Sequence, residues 1–470
     1  MENMRKTKII CTLGPASDSD AAISNLLLAG ANIFRLNMSH AKHDWVRDVV
    51  KRIRRIASGL DLNCGILLDT QGPAIRTGDL SAKLDLKPGQ IFEFTVRGAR
   101  SEEEFSVDVN YDGLVDDIHV GDTVLVDNGV IHMKVLSKDA NRIRCEVLTE
   151  GLLGSKRHIN LPGVKVNLPP LTEKDHADIE LGVACGVDFV ALSFCREAAD
   201  ILELKRVLRE LGSSAKTVAK IEDQNAVKYI KDIIVASDAI MVARGDLGIE
   251  CKMEELPIIQ RRIIKKCLEI GRPVIVATHM LESMIENPIP TRAEITDVAN
   301  AVFEQADAVM LSGETATGKY PIDCVKILDR VARRIAQSGG AGYASAAILE
   351  TQRQKTIRAA VTLANSLENA KIVLFTRHGH MANEASHLRP ERAPIFAFAP
   401  TQEIVRQLSL NWNTHALQLS FGINPEHTIA EAEKELLKRQ WISPGDKLIV
   451  LSDVLAGEEV FESIQIRSVI

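Results

Sequence analysis

The chain has 470 residues, of which 46% are hydrophobic and 26% charged, a composition typical of a water-soluble protein with two or three domains. Its formal net charge of −6 gives no reason to expect nucleic acid or an anionic membrane surface as a partner. Its apolar runs are shorter than the roughly 18 residues that suggest a membrane span, so no membrane partner is expected.

The N-terminal stretch and the cysteines favour a reducing environment. MENMRKTKIICTLGPAS has no long apolar segment and no small-residue cleavage site, so we expect no secretory signal. The eight cysteines are scattered, with no C-x-x-C pair, and most lie in apolar contexts. This favours buried reduced thiols over disulfides or a zinc site. We therefore predict a cytoplasmic protein.

Eight short apolar runs, each followed by polar or glycine residues and then a helical stretch, recur along the chain. Strands of this kind, alternating with helices, are typical of a parallel sheet buried on both faces. Eight such units predict a (β/α)₈ TIM barrel, whose active site lies at the carboxyl ends of the strands. The predicted strands are 7–14, 31–40, 64–72, 187–194, 216–223, 238–246, 272–280 and 307–314.

The third and fourth predicted strands are separated by a segment with a different pattern. Runs such as VGDTVLVDNGVIHMKVLS alternate apolar and polar residues around G-D and N-G turn signals. This pattern predicts an all-β domain inserted at residues 71–168. Proline and glycine at its two joints make plausible hinges, so the inserted domain would cover the strand ends as a lid.

A second change of composition follows the eighth unit, where QSGGAGYASAA is rich in small residues. Beyond it, further α/β units predict a separate C-terminal α/β domain of the regulatory type. Their apolar runs are 371–379, 393–400, 414–420 and 446–453. The predicted organisation is a barrel from residues 1–70 and 169–340, the lid at 71–168 and the C-terminal domain at 341–470.

The fifth predicted strand ends in AKIED, where Lys220 and Glu222 are two residues apart and so point to the same face. Core packing does not explain a lysine and a glutamate in a barrel mouth. A buried ion pair that closes the barrel is one explanation. We favour the other, a carboxylate metal ligand beside a cation that stabilises developing negative charge.

The sixth and seventh predicted strands add a carboxylate and a hydroxyl at the same end. Asp246, in ARGDLG, could cap the following turn, or its backbone could bind an anion while its carboxylate binds a metal. With Glu222 one strand earlier we favour the metal, because two carboxylates completed by substrate and water oxygens suit Mg²⁺. Thr278 ends the seventh strand within reach of this site.

The second and third predicted strands end in residues suited to ions and phosphates. Four of these residues offer carbonyl, hydroxyl and carboxylate oxygens, a plausible cage for a second cation. Two arginines are fork-shaped donors suited to phosphate. The six residues are Arg35, Asn37, Ser39, Asp69, Thr70 and Arg76.

The stretch MLSGETATGKYP, from Met310 to Pro321, has the form of a phosphate-binding loop, G-x-x-x-x-G-K-[ST], except at its last position. That position should carry a hydroxyl for Mg²⁺, but here it is Tyr320. We therefore expect phosphates to be bound at the strand ends, and this stretch to be the turn into the last barrel helix.

The quoted motifs closely resemble those of the pyruvate kinase family. The resemblance covers essentially all of residues 5–335 and continues in organisation through the C-terminal domain. The matching stretches are TKIICTLGPAS, RLNMSH, LLDTQGPAIRTG, NLPPLTEKD, AKIED, VARGDLGIE, MLESMIENPIPTRAEITDVANAV and AVMLSGETATGKYP. The resemblance implies the three-part architecture predicted above, a homotetramer, and a kinase of glycolysis that moves phosphate from phosphoenolpyruvate to ADP, giving pyruvate and ATP.

The resemblance also implies a role for each residue at the strand ends. Lys220 would stabilise the phosphoryl group in flight and the enolate, and Thr278 would assist protonation of the enolate. The implied catalytic and substrate-binding residues are Arg35, Lys220, Gly245, Asp246 and Thr278. The implied ion ligands are Glu222 and Asp246 for Mg²⁺ or Mn²⁺, and Asn37, Ser39, Asp69 and Thr70 for K⁺. The implied nucleotide-binding residues are His40, Arg76 and Lys174.

Two departures from the family pattern concern ions and effectors. The family usually reads DTKGPEIRTG after the third strand, where this chain has Gln71 and Ala74 in place of Lys and Glu. The Glu position lies near the family's monovalent-cation site, so the strictness of the K⁺ requirement stays open. Residues 376–381, TRHGHM, lack most donors of the loop that binds fructose-1,6-bisphosphate in activated members, so we expect weak or no activation by it.

Two other functions fit parts of the pattern. A barrel lyase acting on pyruvate enolates would use the same Lys-Glu-Asp set, but it needs no nucleotide site. A catalytically silent regulatory paralogue would fit Gln71 and Ala74, but not the intact residues of the strand ends. We therefore predict an active phosphotransferase.

Overall fold

The computed structural model describes residues 4–422, 424–456 and 459–470 and begins with three parallel barrel strands. They are β1 (Lys8–Thr12), β2 (Ile33–Asn37) and β3 (Gly65–Asp69), separated by α1 (Asp20–Ala29) and α2 (His43–Gly59). Ser19 caps α1 by accepting the N–H of Ala22, and Gly30 ends it with a left-handed φ of 115°. Caps of this kind fix where a helix begins and ends, so that the chain can return to form the next barrel strand.

The segment after β3 folds as separate sheets. The strands are β4 (Leu84–Leu86), β5 (Ile91–Thr95), β6 (Phe105–Asp108), β7 (Thr123–Val126), β8 (Ile131–Lys138), β9 (Arg142–Val147), β10 (Gly151–Leu153) and β11 (Ile159–Asn160), with one short helix, α3 (Leu114–Asp117). Six of them form a sheet in the order β11-β7-β8-β9-β5-β6, and β10 pairs with β4. Their side chains enclose a core of their own around Phe92 and Phe94. The prediction of an inserted all-β domain is confirmed.

The chain then returns to complete the barrel. The strands are β12 (Phe189–Leu192), β13 (Lys216–Ile221), β14 (Ala239–Ala243), β15 (Val274–Ala277) and β16 (Ala308–Leu311). The helices are α4 (Glu173–Cys185), α5 (Ala198–Glu210), α6 (Gln224–Lys228), α7 (Ile230–Ala236), α8 (Arg244–Glu250), α9 (Leu256–Ile270), α10 (Arg292–Phe303), α11 (Gly313–Ala316) and α12 (Pro321–Ala336), with 3₁₀ turns at Met253–Glu255 and Glu282–Ile285. All neighbouring strands are parallel, and β16 pairs with β1 to close the sheet in the order β1-β16-β15-β14-β13-β12-β3-β2. The predicted TIM barrel is confirmed, and each of its strands lies within a predicted run.

The C-terminal part is a second α/β unit, as predicted. Its strands are β17 (Ala370–Phe375), β18 (Ile395–Ala399), β19 (Thr414–Gln418), β20 (Lys447–Ala456) and β21 (Glu459–Ser468). Its helices are α13 (Gln352–Ser366), α14 (His380–His387), α15 (Gln402–Gln407) and α16 (Pro425–Lys438), with 3₁₀ turns at Tyr343–Ala346 and Leu408–Leu410. The order is β19-β18-β17-β20-β21, with only β21 antiparallel to its neighbour. The sequence prediction missed β21 because an edge strand alternates polar and apolar residues and lacks a continuous apolar run.

None of the helices in the described part of the chain combines the length and the apolar character needed to cross a membrane.

Candidate active site

Lys220 lies at the centre of the charged residues at the carboxyl ends of the barrel strands. Its side chain is 11% exposed, and its Nζ is 2.9 Å from Glu222 Oε1, 3.2 Å from Asp69 Oδ1 and 2.7 Å from Ser193 Oγ. Burial alone would lower the pKa of Lys220, but the two carboxylates outweigh it and raise the pKa above the ordinary value. The group is therefore a fixed ammonium, aimed into the barrel mouth.

Arg35 and Asp69 form a second buried pair beside it. Arg35 Nε and Nη2 lie 2.7 Å and 2.6 Å from Asp69 Oδ2, and Arg35 Nη1 donates to Thr12 Oγ1 at 3.0 Å. Burial would raise the pKa of Asp69, but Lys220 and Arg35 outweigh it and lower the pKa. Asp69 of β3 thus holds two cations, Arg35 from the adjacent β2 and Lys220 from β13, which lies beyond β12. Each could reach an anionic substrate.

Glu222 is buried against Lys220 and is held by the backbone of the neighbouring strand end. Its Oε2 accepts the N–H of Phe194 at 2.6 Å, and Phe194 has a left-handed φ of 53°. Burial raises the pKa of Glu222 to about 7, against the opposing effect of Lys220. The charge of Lys220 thus only partly offsets the burial of Glu222, and a bound cation would favour its ionised form further.

Asp246 lies in the first turn of α8 and points its carboxylate toward the same region. The helix has Ala243 at its N-cap, so the alternative that Asp246 is a capping residue is wrong. Among the described residues, Asp246 makes no hydrogen bond or ion pair, and the pKa values of Lys220 and Glu222 both respond to its charge. Two carboxylates, one of them uncommitted, are a donor set that suits Mg²⁺ or Mn²⁺ when other oxygens complete the coordination. In the described ranges, no group of three or more His, Cys, Asp or Glu side chains could hold a metal by itself.

Thr278 follows β15 on a strained backbone. Thr278 and His279 have φ values of 67° and 53°, uncommon for residues other than glycine and especially for a β-branched one. The turn is held by Arg244, which donates to the Thr278 carbonyl at 2.6 Å and pairs with Asp297 at 2.7 Å. Thr278 Oγ1 accepts the Gly245 N–H at 2.7 Å. A substrate carboxylate that binds the Gly245 N–H would therefore have to replace this bond.

The four residues expected to hold K⁺ come from β2 and β3, which pair so that Asn37 lies opposite Asp69. Asn37 Oδ1 accepts the Ser39 N–H at 3.2 Å, and the Thr70 carbonyl accepts the Ser193 hydroxyl at 2.6 Å. Asp69 is shared with Arg35 and Lys220, as described above. The oxygen types fit a monovalent cation, although Asp69 already serves two side-chain cations.

The residues expected at the nucleotide lie in two places. Lys174 donates to the Met38 carbonyl at 2.7 Å, which places it beside the loop that carries the exposed His40. Arg76 lies on the lid side, where its backbone bridges to His158 and its side chain donates to the Lys156 carbonyl at 3.1 Å. Burial and Arg76 lower the pKa of His158, while Asp246 opposes them, so the charges of both Arg76 and Asp246 act on His158.

A cleft between the inserted domain and the barrel reaches this site. It is lined by lid residues, including Ala74 and His158, and by Glu222 and Asp223 of the barrel. The His158 ring stacks on Phe194, with centroids 5.9 Å apart. The inserted domain therefore lies over the strand ends, as the lid prediction requires.

The stretch that resembles a phosphate-binding loop lies at the end of β16 and leads through α11 into α12. Lys319 pairs with Glu286 at 2.5 Å, and both side chains are about two-thirds exposed. The lysine therefore points away from the charged cluster, in agreement with the prediction that phosphates are bound elsewhere.

Sequence reasoning missed three residues that organise the site: Ser193 and Phe194 at the end of β12, and Arg244 before Asp246. Ser193 and Phe194 could have been found from the sequence, because they lie at the end of the fourth predicted strand. Residues at the ends of the other predicted strands had been selected for that reason. Arg244 could also have been found, because it is a charged residue in ARGDLG, the stretch quoted for Asp246.

Comparisons with known proteins agree with this arrangement. Residues 4–325 match the family model "Pyruvate kinase, barrel domain", and residues 354–465 match "Pyruvate kinase, alpha/beta domain". A pyruvate kinase of Sporosarcina psychrophila is 39% identical over 97% of this chain and 79% of its own length. Plastidial pyruvate kinase 3 of Arabidopsis thaliana is 40% identical over 100% of this chain and 83% of its own length. The crystal structure of a pyruvate kinase from Cryptosporidium parvum superposes with a TM-score of 0.93 at 34% identity, covering 99% of this chain and 96% of the other. The chain belongs to the pyruvate kinase family.

Proposed function

We propose that the chain transfers the phosphoryl group of phosphoenolpyruvate to ADP, giving pyruvate and ATP in the last step of glycolysis, and that the residues described above carry out this reaction. The assignment of residues rests on one observation. Lys220 and Arg35 cluster with the carboxylates of Asp69 and Glu222 at the strand ends, beneath the lid. Phosphoryl transfer needs positioning and charge stabilisation rather than covalent chemistry, and these groups supply both.

Each cation has a task set by its surroundings. Lys220, kept charged by Asp69 and Glu222, stabilises negative charge on the phosphoryl group and on the enolate oxygen. Arg35, fixed by Asp69 and Thr12, holds the phosphate through its remaining donors. Arg76, Lys174 and His40 surround the nucleotide.

Thr278 lies beside Gly245 and controls the other end of the substrate. The substrate carboxylate binds the backbone of Gly245 and Asp246, in exchange for the bond from Gly245 to Thr278. The Thr278 hydroxyl, which donates to the Ala277 carbonyl at 2.6 Å in the structure, then turns from that carbonyl toward the methylene carbon of the enolate and assists its protonation. The strained turn keeps that hydroxyl in place.

Glu222 and Asp246 would hold Mg²⁺ or Mn²⁺, which draws negative charge from substrate oxygens when bound. Asn37, Ser39, Asp69 and Thr70 would hold K⁺. Because Ala74 removes a carboxylate near these residues, we propose a relaxed K⁺ requirement. Weak or absent activation by fructose-1,6-bisphosphate, a homotetramer and a cytoplasmic location stay predictions; three of the relatives are named as plastid proteins.

The test is pyruvate formation from phosphoenolpyruvate and ADP with Mg²⁺, comparing the unaltered chain with Lys220→Met. Removing one preorganised charge from a site of this kind costs about 10²–10³-fold in kcat. We expect at least that loss, with phosphoenolpyruvate binding retained in calorimetry.

The matched control is Lys319→Met, which removes the lysine of the loop-like stretch. It should keep full activity, because Lys319 is exposed and pairs only with Glu286 among the described residues. If Lys319→Met were inactive and Lys220→Met active, phosphate handling would lie in the loop, and the assignment above would be wrong.

A further inference from the structure

Ser193 is the first residue beyond β12 and is 2% exposed. Its backbone N–H donates to Thr70 Oγ1 at 3.1 Å, and its own hydroxyl donates to the Thr70 carbonyl at 2.6 Å. Thr70 Oγ1 in turn donates to the Ala191 carbonyl at 3.0 Å. These reciprocal bonds join the ends of β3 and β12 and fix the direction of the serine hydroxyl.

The Ser193 hydroxyl has one proton, which the 2.6 Å distance assigns to the Thr70 carbonyl. The oxygen lone pairs therefore remain for Lys220, whose Nζ donates to Ser193 Oγ at 2.7 Å. This is the shortest of the three contacts that the ammonium makes; those to Glu222 and Asp69 are 2.9 Å and 3.2 Å. All three ammonium donors are thus engaged.

The three groups that accept hydrogen bonds from Lys220 differ in the other charges that they bind. Asp69 is shared with Arg35. Glu222 belongs to the pair of carboxylates that we assign to a divalent cation. The Ser193 hydroxyl is neutral, and within the described part of the chain it bonds to Thr70 and Lys220 alone, apart from a long 3.3 Å contact with Asp69 Oδ1. It is therefore the one acceptor whose hold on the ammonium is independent of the charges that a reaction would change.

We propose that Ser193 is a positioning residue, which anchors the Lys220 ammonium at the strand ends of β3 and β12 during phosphoryl transfer. The inference rests on the proposed function. Without this anchor the ammonium is held by two carboxylates alone and is drawn toward them, away from the phosphoryl group. Misplacing a catalytic group by about 1 Å can cost on the order of 10²-fold in rate.

The test is steady-state kinetics of Ser193→Ala. An interaction needed mainly in the transition state affects kcat more than substrate binding, so we expect kcat to fall about 10- to 100-fold and KM for phosphoenolpyruvate to change less than about threefold. Ser237→Ala is the matched control. Ser237 is also fully buried and donates to a backbone carbonyl, that of Ile233, but lies before β14 at the opposite end of the barrel. It should leave kcat and KM unchanged.

A pair of variants separates the hydroxyl from the space it fills. Ser193→Thr keeps a hydroxyl and Ser193→Val has the same shape without one, so any misfit of the added methyl groups is common to both. We expect the Thr variant to exceed the Val variant in kcat by at least about tenfold, the value of one charge-assisted hydrogen bond. This comparison also decides the matter if Ser193→Ala fails to fold.

The outcomes distinguish the inference from the function on which it rests. Absence of turnover in the unaltered chain overturns the proposed function and this inference together. Turnover by the unaltered chain, with Ser193→Ala within threefold of it or with equal kcat for the Thr and Val variants, overturns the inference alone.

Discussion

Two opposing effects act on the pKa of Lys220: burial lowers it and a pair of carboxylates raises it. The carboxylates prevail. The same balance holds for Asp69, where two cations outweigh burial. The two-residue spacing of Lys220 and Glu222 was enough to predict that both side chains share a face, and the ion pair considered from the sequence is present at 2.9 Å. The ion pair does not exclude the proposed metal site, because each oxygen of Glu222 accepts one contact, from Lys220 or from the Phe194 N–H, and keeps a further lone pair.

Other residues at this scale could not be predicted, because their roles depend on distances across strands. Ser193 meets Lys220 and Thr70 only when β12 lies between β3 and β13. Arg244 acts through a carbonyl of Thr278, and a backbone acceptor leaves no mark in the sequence. The positive φ values of Phe194, Thr278 and His279 are likewise hidden, since none of these residues is a glycine.

A residue-scale prediction concerns Ala74, which lines the cleft beneath the lid. Restoring a carboxylate by Ala74→Glu should raise the affinity for K⁺ at Asn37, Ser39, Asp69 and Thr70. In general, two unit charges about 10 Å apart interact by on the order of 1–2 kcal/mol at an effective dielectric constant of about 20. The ratio of rates in potassium and tetramethylammonium chloride should therefore rise about tenfold.

The control for that change is Ala140→Glu, which adds the same charge at an exposed turn of the inserted domain. It should leave the ratio as it is in the unaltered chain. An unchanged ratio in Ala74→Glu as well would show that the missing carboxylate has no part in the K⁺ response.

At the scale of elements, one carboxylate joins the two connections of the lid. Asp175, in the first turn of α4, is completely buried. Its Oδ1 accepts the N–H groups of Gln71 and Gly72 at 3.0 Å and 3.1 Å, where the chain leaves the barrel. Its Oδ2 accepts the N–H and hydroxyl of Thr172 at 2.9 Å and 2.6 Å, where the chain returns. The capping box of α4 thus also closes the base of the inserted domain.

Asp175→Ala should therefore loosen both connections at once. Each buried donor left without an acceptor costs about 1–3 kcal/mol, so amide hydrogen exchange at Gln71 and Gly72 should become at least about tenfold faster. Gln354→Ala, which removes the capping-box partner of the exposed start of α13, should leave that exchange unchanged. Equal exchange at Gln71 in all three proteins would mean that the carboxylate does not hold the lid.

Elements were the scale at which sequence patterns were most informative. The continuous apolar runs marked all eight barrel strands, because a strand covered on both faces has no polar side. The alternating runs marked the inserted domain, because a strand with one face in the core and one in water alternates apolar and polar residues. The tie between Asp175 and Gln71 could not be foreseen, since it joins residues about a hundred positions apart.

At the scale of the whole molecule, the barrel and the C-terminal domain meet through buried polar contacts. Arg389 pairs with Asp307 at 2.6 Å, with both side chains 2% exposed, and also donates to the Gln305 carbonyl at 3.0 Å. His387 Nε2 lies 2.5 Å from the Leu268 carbonyl, across the same boundary. The sequence predicted the two domains but not this interface, because nothing in either segment identifies its partner.

His387 makes this interface sensitive to acid. Burial lowers its pKa from 6.5 to about 4, although the bond to Leu268 opposes the shift and Arg389, Arg358 and Arg272 add to it. The folded chain therefore resists protonation that the unfolded chain accepts. The stability contributed by neutral His387 is complete above pH 6.5 and is lost as the pH falls toward 4.

His387→Gln should accordingly flatten the fall of the unfolding temperature between pH 6.5 and 4, because glutamine can donate to Leu268 without titrating. The control is His427→Gln on the exposed face of α16, which should leave the slope unaltered. A slope that is identical in His387→Gln and the unaltered chain would place the acid sensitivity elsewhere.

The central claim, that this cluster transfers a phosphoryl group between two substrates, is tested most directly by ³¹P nuclear magnetic resonance of phosphoenolpyruvate and ADP mixed with the unaltered chain and Mg²⁺. We predict that the phosphoenolpyruvate and ADP signals are lost and that the γ-phosphate signal of ATP appears in equal amount to the phosphoenolpyruvate consumed, without free phosphate. Consumption of phosphoenolpyruvate that releases free phosphate and leaves ADP unchanged, or no consumption at all, would contradict the account.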